Sequence, residues 1–246
     1  MSAEGIRPGA DDAGGRLRVV LCWHMHQPQY RDGLSGEFLL PWTYLHGIKD
    51  YVDMAYHIES VPGAMAVVNF SPVLLEQLDD YSVALGNALR TGQPIPDPVL
   101  AVLADGLPAD RERWPALVRA YLRANREHLV DRFPAFRELA ARAAPWTATG
   151  ADPDPTGNPT GDPTGAPPLA AADAGWVLDL AVWYHLAWLG ESVRRTDPRV
   201  PPLLTKARGY DRQDRRALLE VIADVLAGIV PRYRRLLGTG QVELAV

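Results

Sequence analysis

The chain has 246 residues, 47% of them hydrophobic, enough for one sizeable core or for a large domain with an insertion. Its net charge of −5, with cationic residues that are mostly Arg and scattered, offers no basic face to nucleic acid or to an anionic membrane. The lone cysteine, Cys22, excludes an internal disulfide and a zinc site built on several cysteines, the opening "MSAEGIRPGADDAGGR" lacks the apolar core of a secretory signal, and no apolar run is long enough to span a bilayer, so the expected location is the cytoplasm.

Residues 1–16, rich in Gly, Ala and Asp, read as a disordered lead-in. "LRVVLCWHMHQ" (Leu17–Gln27) then reads as a strand. It is apolar on both faces through Val19, Val20, Leu21, Cys22 and Trp23, the pattern of a parallel strand covered on both sides. "PWTYLHGIKDYVDMAYHIES" is helical, with Tyr44, Ile48, Tyr51 and Ala55 on one face. "AMAVVNF" (Ala64–Phe70) is a second strand. "SPVLLEQLDDY" starts the next helix, with Ser71 at the N-cap and Pro72 in the first helical position. A β–α–β–α order favours a parallel sheet with right-handed crossovers.

Residues 92–145 read as helices broken by prolines, an insertion projecting from the sheet, and about 147–172 as a low-complexity loop. Within it, "DPTGNPTGDPTGAPP" repeats an Asp/Asn-Pro-Thr-Gly unit whose turn signals and lack of apolar side chains keep it out of any core. "AGWVLDLAVWYHLAWLGESVRR" is a strong helix. Its stripes, Trp176, Leu180, Trp183, Ala187 and Val177, Ala181, Tyr184, Trp188, suit core packing better than sugar stacking. The next helix is capped by Asp211, buries Leu218, Ile222, Val225 and Ile229, and should end or kink at Pro231, with Gly238 stopping any continuation. "QVELAV" reads as a third strand.

The chemistry concentrates in "CWHMHQP". Residues i and i+2 of a strand point the same way, so His24 and His26 project together at the C-terminal end of the first strand, the end at which parallel α/β barrels build their sites. Three readings fit the pair. They are hydrogen-bonded core histidines, or ligands of a divalent metal in a metal-dependent hydrolase, or donors and acceptors for the hydroxyls of a sugar. A metal would need ligands from later strands, and His46, His57, His128 and His185 fall in helical segments without H-E-x-x-H spacing.

"WHMHQPQY", "LPWTYLHGIKDYVDMA" and "VVNFSPVLLEQLDDY", followed in order by "DLAVWYHLAWLGE", "LLTKARGYDRQD" and "IVPRYRRLLGTGQVEL", resemble the opening of glycoside hydrolase family 57 over about 17–90 and 176–246. That resemblance implies an α/β fold: residues 17–246 would be the N-terminal part of a distorted seven-stranded (β/α) TIM-like barrel with a helical insertion. It implies a retaining enzyme acting on α-glucans or maltooligosaccharides, an amylase, amylopullulanase, branching enzyme or 4-α-glucanotransferase, with no cofactor. His24 and His26 would line the sugar subsite beside the cleaved bond, Gln27 and Pro28 would complete that motif, and Glu243 would be an acidic neighbour, not the nucleophile. Trp42, His46, Lys49 and Asp50 match the stretch after strand one, where packing and local hydrogen bonds are expected.

A retaining glycosidase needs two carboxyl groups about 5 Å apart, and in the family both lie downstream of "GQVEL". Glu76, Asp79, Asp80, Glu191 and Glu220 read as solvated helix faces. The nucleophile and acid/base are therefore expected beyond Val246, the chain alone is expected to be inactive, and the sequence is read as a truncated product, half of a split gene or a partial record, with a second polypeptide able to carry the rest of the barrel. A non-catalytic carbohydrate-binding fragment is the remaining alternative.

Overall fold

The computed structural model describes residues 19–143 and 173–245. The expected lead-in at 1–16, Leu17 and Arg18 of the first strand, the Pro-Thr-Gly repeat and Val246 lie outside the described residues.

The described residues are rich in helices and carry one small sheet. Strand β1 (Cys22–Met25) pairs in parallel with β2 (Ala66–Phe70), and β2 pairs in parallel with β3 (Val242–Leu244), in the spatial order β1-β2-β3. Between β1 and β2 run α1 (Trp42–His46), a π-helical turn (Gly47–Tyr51) and α2 (Val52–Ser60). Tyr44, Ile48, Tyr51 and Ala55, on the stripe read from the sequence, are all buried. Helix α3 (Pro72–Thr91) follows β2; Ser71 occupies its N-cap and Pro72 its first turn, but the Ser71 hydroxyl makes no capping bond. Three further helices, α4 (Pro98–Asp105), α5 (Trp114–Tyr121) and α6 (Pro134–Arg142), fill the segment up to residue 143.

Helix α7 (Ala174–Trp188) is buried on nearly every side, and both tryptophan-bearing stripes face the core. The sequence suggests one helix running on to Arg195. The structure instead breaks it at Leu189–Gly190 and restarts it as α8 (Glu191–Thr196). The break is held from outside: the Gly190 N–H donates to the Ile48 carbonyl (2.8 Å), and the Asp53 carboxylate accepts from the N–H groups of Glu191 (2.7 Å) and Ser192 (2.9 Å). Asp53, on α2, thus caps α8. Gly190 is required there, because a Cβ would sit 2.5 Å from an Asp53 carboxylate oxygen.

After α9 (Val200–Lys206) comes α10 (Arg212–Gly238), opened by a reciprocal capping box between Asp211 and Asp214. Of the two outcomes expected at Pro231, an end or a kink, the structure rules out the end: α10 runs through it to Gly238. Ile229 on one side and Tyr233 and Leu236 on the other are all buried, and that packing outweighs the loss of one helical hydrogen bond. Helix α10 lies against α2, α3, α4 and the π turn, which makes it the spine of the core.

Among the described residues the sheet is covered on one face only. Met25, Ala66, Val68 and Val242 turn toward the helices and are buried, and Phe70 packs edge-on against Tyr233 with ring centres 4.9 Å apart. The opposite face carries Cys22, His24, Val67, Asn69 and Glu243, with Cys22, His24 and Glu243 exposed. The expectation that the first strand is covered on both sides fails here: Val19, Val20 and Leu21 are exposed at 68%, 73% and 52%, and the regular strand is confined to Cys22–Met25. Apolar composition reports what a strand tolerates, and a second cover needs elements that the described residues do not supply.

Candidate functional site

Partners in a parallel ladder share a face, and so do residues two apart on one strand. Cys22, Val67 and Glu243 therefore form one row across the open face, and His24 and Asn69 form the next row toward the C-terminal strand ends. His26 follows the last residue of β1, and its ring stacks on that of His24 with centroids 5.6 Å apart and planes inclined by 12°. The two imidazoles thus stand side by side at the C-terminal end of the sheet, on its open face.

Asn69 orients the pair. Its Nδ2 donates to the Ala245 carbonyl at 2.9 Å, which turns its Oδ1 toward His24 Nδ1, 2.5 Å away. With the amide fixed that way, His24 Nδ1 carries the proton, and Nε2 of the neutral ring is left as an acceptor. Sequence reading did not single out Asn69. The available signal was an amide inside the apolar run "AVVNF", two residues before a helix start.

The segment after His26 is held by two side chains from other elements, Tyr51 and Gln77, and by a bond within itself. Gln27 donates from Nε2 to the Tyr51 hydroxyl (3.2 Å) and accepts at Oε1 from the Tyr30 hydroxyl (3.2 Å). The Tyr51 hydroxyl also lies 3.5 Å from the His26 carbonyl. Gln77 of α3, fully buried, accepts from the Tyr30 N–H (3.0 Å) and donates to the Pro28 carbonyl (2.9 Å). Gln27 is therefore engaged with protein groups and orients the loop rather than standing free. Burial pushes the phenols of Tyr30 and Tyr51 above their ordinary value, so both remain neutral donors.

Glu243 is exposed on the same face as His24, two strands away and one row nearer the N-terminal strand ends, about 12 Å by ordinary strand spacing and rise. No hydrogen bond or ion pair joins it to either histidine among the described residues. It is also the sole carboxylate among the strand residues of that face. The helical carboxylates are occupied elsewhere or turned to solvent. Asp80 pairs with Arg31 at 2.7 Å, Glu76 and Asp79 are exposed, and Glu220 pairs with Arg216 at 3.0 Å. Glu191 binds Arg132, Arg194 and Arg195, and the Arg194 hydrogen bond is the main cause that holds its carboxyl down at about 2.

Beside this mouth, the π turn presents a second polar cluster. Asp50 accepts from His46 Nδ1 and from Lys49 Nζ, each at 2.5 Å, and His46 lies against the rings of Trp42 and Trp188. Burial opposes ionisation of Asp50, but the bonds from His46 and Lys49 together prevail and keep its carboxyl below the usual range. No three His, Cys, Asp or Glu side chains form a metal-holding group among the described residues. A cavity of about 420 Å³ lies between α2, α8 and α10, lined among others by Glu59, Asp224, Gly228 and Arg232; none of His24, His26, Gln27 and Glu243 borders it.

No helix among the described residues is long and apolar enough to cross a membrane. No curated protein and no solved structure matches the chain with significant similarity. A family model, that of glycosyl hydrolase family 57, matches residues 20–246, from the start of the exposed apolar segment before β1 to the end of the chain. With nearly the whole sequence inside one model, the histidine pair and the "GQVEL" strand included, the chain belongs to glycosyl hydrolase family 57.

Proposed function

We propose that this chain contributes the first three strands of a distorted seven-stranded (β/α) barrel in a retaining enzyme acting on α-glucans, and that His24, His26 and Glu243 contact the glucan while Gln27 orients the loop behind them. The observation that carries this reading is the stacked histidine pair on the open face of a parallel sheet, at its C-terminal strand ends. Family membership supports glycoside hydrolase chemistry in general; the α-glucan substrate is our narrower reading.

The chemistry suits sugar hydroxyls. His24 presents Nε2 to a sugar hydroxyl, its ring held by the Asn69 bond on its other nitrogen. Glu243 offers a carboxylate acceptor from two strands away. Retention requires a nucleophile and an acid/base about 5 Å apart, and the open face of these three strands supplies only one carboxylate. The catalytic pair is therefore assigned to further strands of the barrel, from the same or a second polypeptide.

Binding and turnover test the two halves separately. Maltohexaose should bind the chain and bind at least fivefold more weakly after His26→Ala. The chain by itself should release no reducing ends from starch or maltooligosaccharides. Binding that is indifferent to His26→Ala removes the histidines from the site; steady hydrolysis by this chain alone refutes the assignment of the catalytic pair to other strands.

A further inference from the structure

The polar cluster on the π turn has no role in the arrangement described so far. His46, Lys49 and Asp50 have side chains 34%, 36% and 41% exposed. Partly exposed ion pairs contribute roughly 0–1 kcal/mol, so stability gives little reason for three charged or polar groups to converge there. His46 and Lys49 both keep bonding capacity. With Nδ1 donating to Asp50, His46 keeps Nε2 for a second hydrogen bond, and Lys49 keeps two of its three N–H donors.

Two tryptophans frame the cluster. Trp42 is partly exposed and lies 5.9 Å from Trp188 and 6.4 Å from His46, between ring centroids. Trp188 is only 8% exposed, and its ring is 5.7 Å from that of His46. The Trp188 indole N–H is buried and has no acceptor among the described residues. A buried donor left unpaired costs about 1–3 kcal/mol. The cluster is also tied to the histidine mouth. Tyr51, whose hydroxyl meets Gln27 and the His26 carbonyl, closes the same π turn, and its ring lies 6.5 Å from that of His46.

We propose that Trp42, His46, Lys49, Asp50 and Trp188 form a glucosyl-binding subsite flanking the His24–His26 mouth, with neighbouring hydroxyls of one sugar shared between His46 Nε2 and the Lys49 ammonium and an apolar sugar face against Trp42. This inference rests on the glucan reading above and extends it to a second position along the same oligosaccharide. Sugar rings suit such a place because they present apolar C–H faces and donor–acceptor hydroxyls together.

The test is a titration of the isotope-labelled chain with maltohexaose, followed by NMR. The Trp188 indole N–H is assigned by its loss in Trp188→Phe. The expected result is saturable movement of that signal and of the His46 ring signals. The dissociation constant should rise at least fivefold in Lys49→Met and in His46→Gln, with the thermal midpoint of Lys49→Met unchanged. Lys49 is on the surface, so its variant reports even where His46→Gln unfolds. If the His24 and His26 signals respond while Trp188 and His46 stay still, and Lys49→Met binds normally, the subsite is overturned and the glucan reading stands. If Trp188 and His46 respond while His24 and His26 do not, the subsite stands and the histidine assignment falls. If no signal moves at millimolar sugar, both are overturned.

Discussion

Two buried titratable groups in the helical core should cancel each other's pH dependence, and one substitution should unmask the effect. Asp97 caps α4 through the N–H groups of Val99 (2.9 Å) and Leu100 (3.0 Å) and accepts from the Tyr81 hydroxyl at 2.7 Å. Burial raises its carboxyl from 3.8 to about 6 despite those bonds. His185, on α7, donates from Nδ1 to the Ala181 carbonyl and accepts at Nε2 from the Tyr44 hydroxyl. Burial lowers it from 6.5 to about 4. At ~1.4 kcal/mol per tenfold change in proton affinity, each displacement is worth about 3 kcal/mol. The signs oppose. The Asp97 contribution is full below pH 3.8 and is lost as pH rises through about 6, whereas that of His185 is full above pH 6.5 and is lost as pH falls through about 4. In Asp97→Asn the amide oxygen keeps both capping bonds and the titration disappears. Urea unfolding between pH 4 and pH 7 should therefore show the stability of the variant, relative to the parent, rising by about 3 kcal/mol with pH. Carboxylates that are depressed in both proteins, Glu191 among them, drop out of the difference. A difference constant to within about 1 kcal/mol across that range would refute the reasoning.

Asp53→Ala should destabilise the chain by about 1–2 kcal/mol, because two N–H groups at the start of α8 lose their acceptor; Gly190→Ala should cost a similar ~1–3 kcal/mol by driving a methyl into that carboxylate, and both are read by thermal denaturation. Gln77→Leu leaves the Tyr30 N–H and the Pro28 carbonyl without partners, at about 1–3 kcal/mol, and should weaken maltohexaose binding through the loosened His26–Tyr30 segment, as calorimetry would register. Pro231→Ala restores a helical N–H at an exposed position of α10 and should raise the thermal midpoint, corresponding to as much as ~3 kcal/mol.

What could be read in the sequence was what depends on neighbours along the chain. The direction shared by His24 and His26 follows from strand alternation within three residues, and the buried stripes of α2, α7 and α10 follow from helical spacing. Contacts across the fold were not legible. Asn69 meets His24 across 45 residues, Gln77 meets Tyr30 across 47, and Asp53 meets Glu191 across 138. The last explains why the α7–α8 break was missed, since the cap that makes it lies on another helix. Nor does composition distinguish a strand covered on both sides from one covered on a single side: Val19, Val20 and Leu21 satisfy the pattern of the first and have the exposure of the second. Pro231 was judged by its local cost alone, without the packing of α10 on either side of it.

The π turn at Gly47–Tyr51 has a consequence for how this region tolerates change. A π turn holds one residue more than the α-helical path it replaces. Loss of a single residue there would let α1 and α2 merge into a regular helix with the downstream side chains kept in register, whereas a residue lost from the regular turns on either side would rotate everything beyond it by about 100°. A deletion in the regular turns of α1 would swing the phenol of Tyr51 away from Gln27 while Trp42 stayed in place, uncoupling the two halves of the mouth. Gly47 narrows the options further, since a Cβ there would lie 2.5 Å from Leu226 of the spine helix. Length, more than residue identity, is what an engineer grafting this loop onto another scaffold would have to preserve.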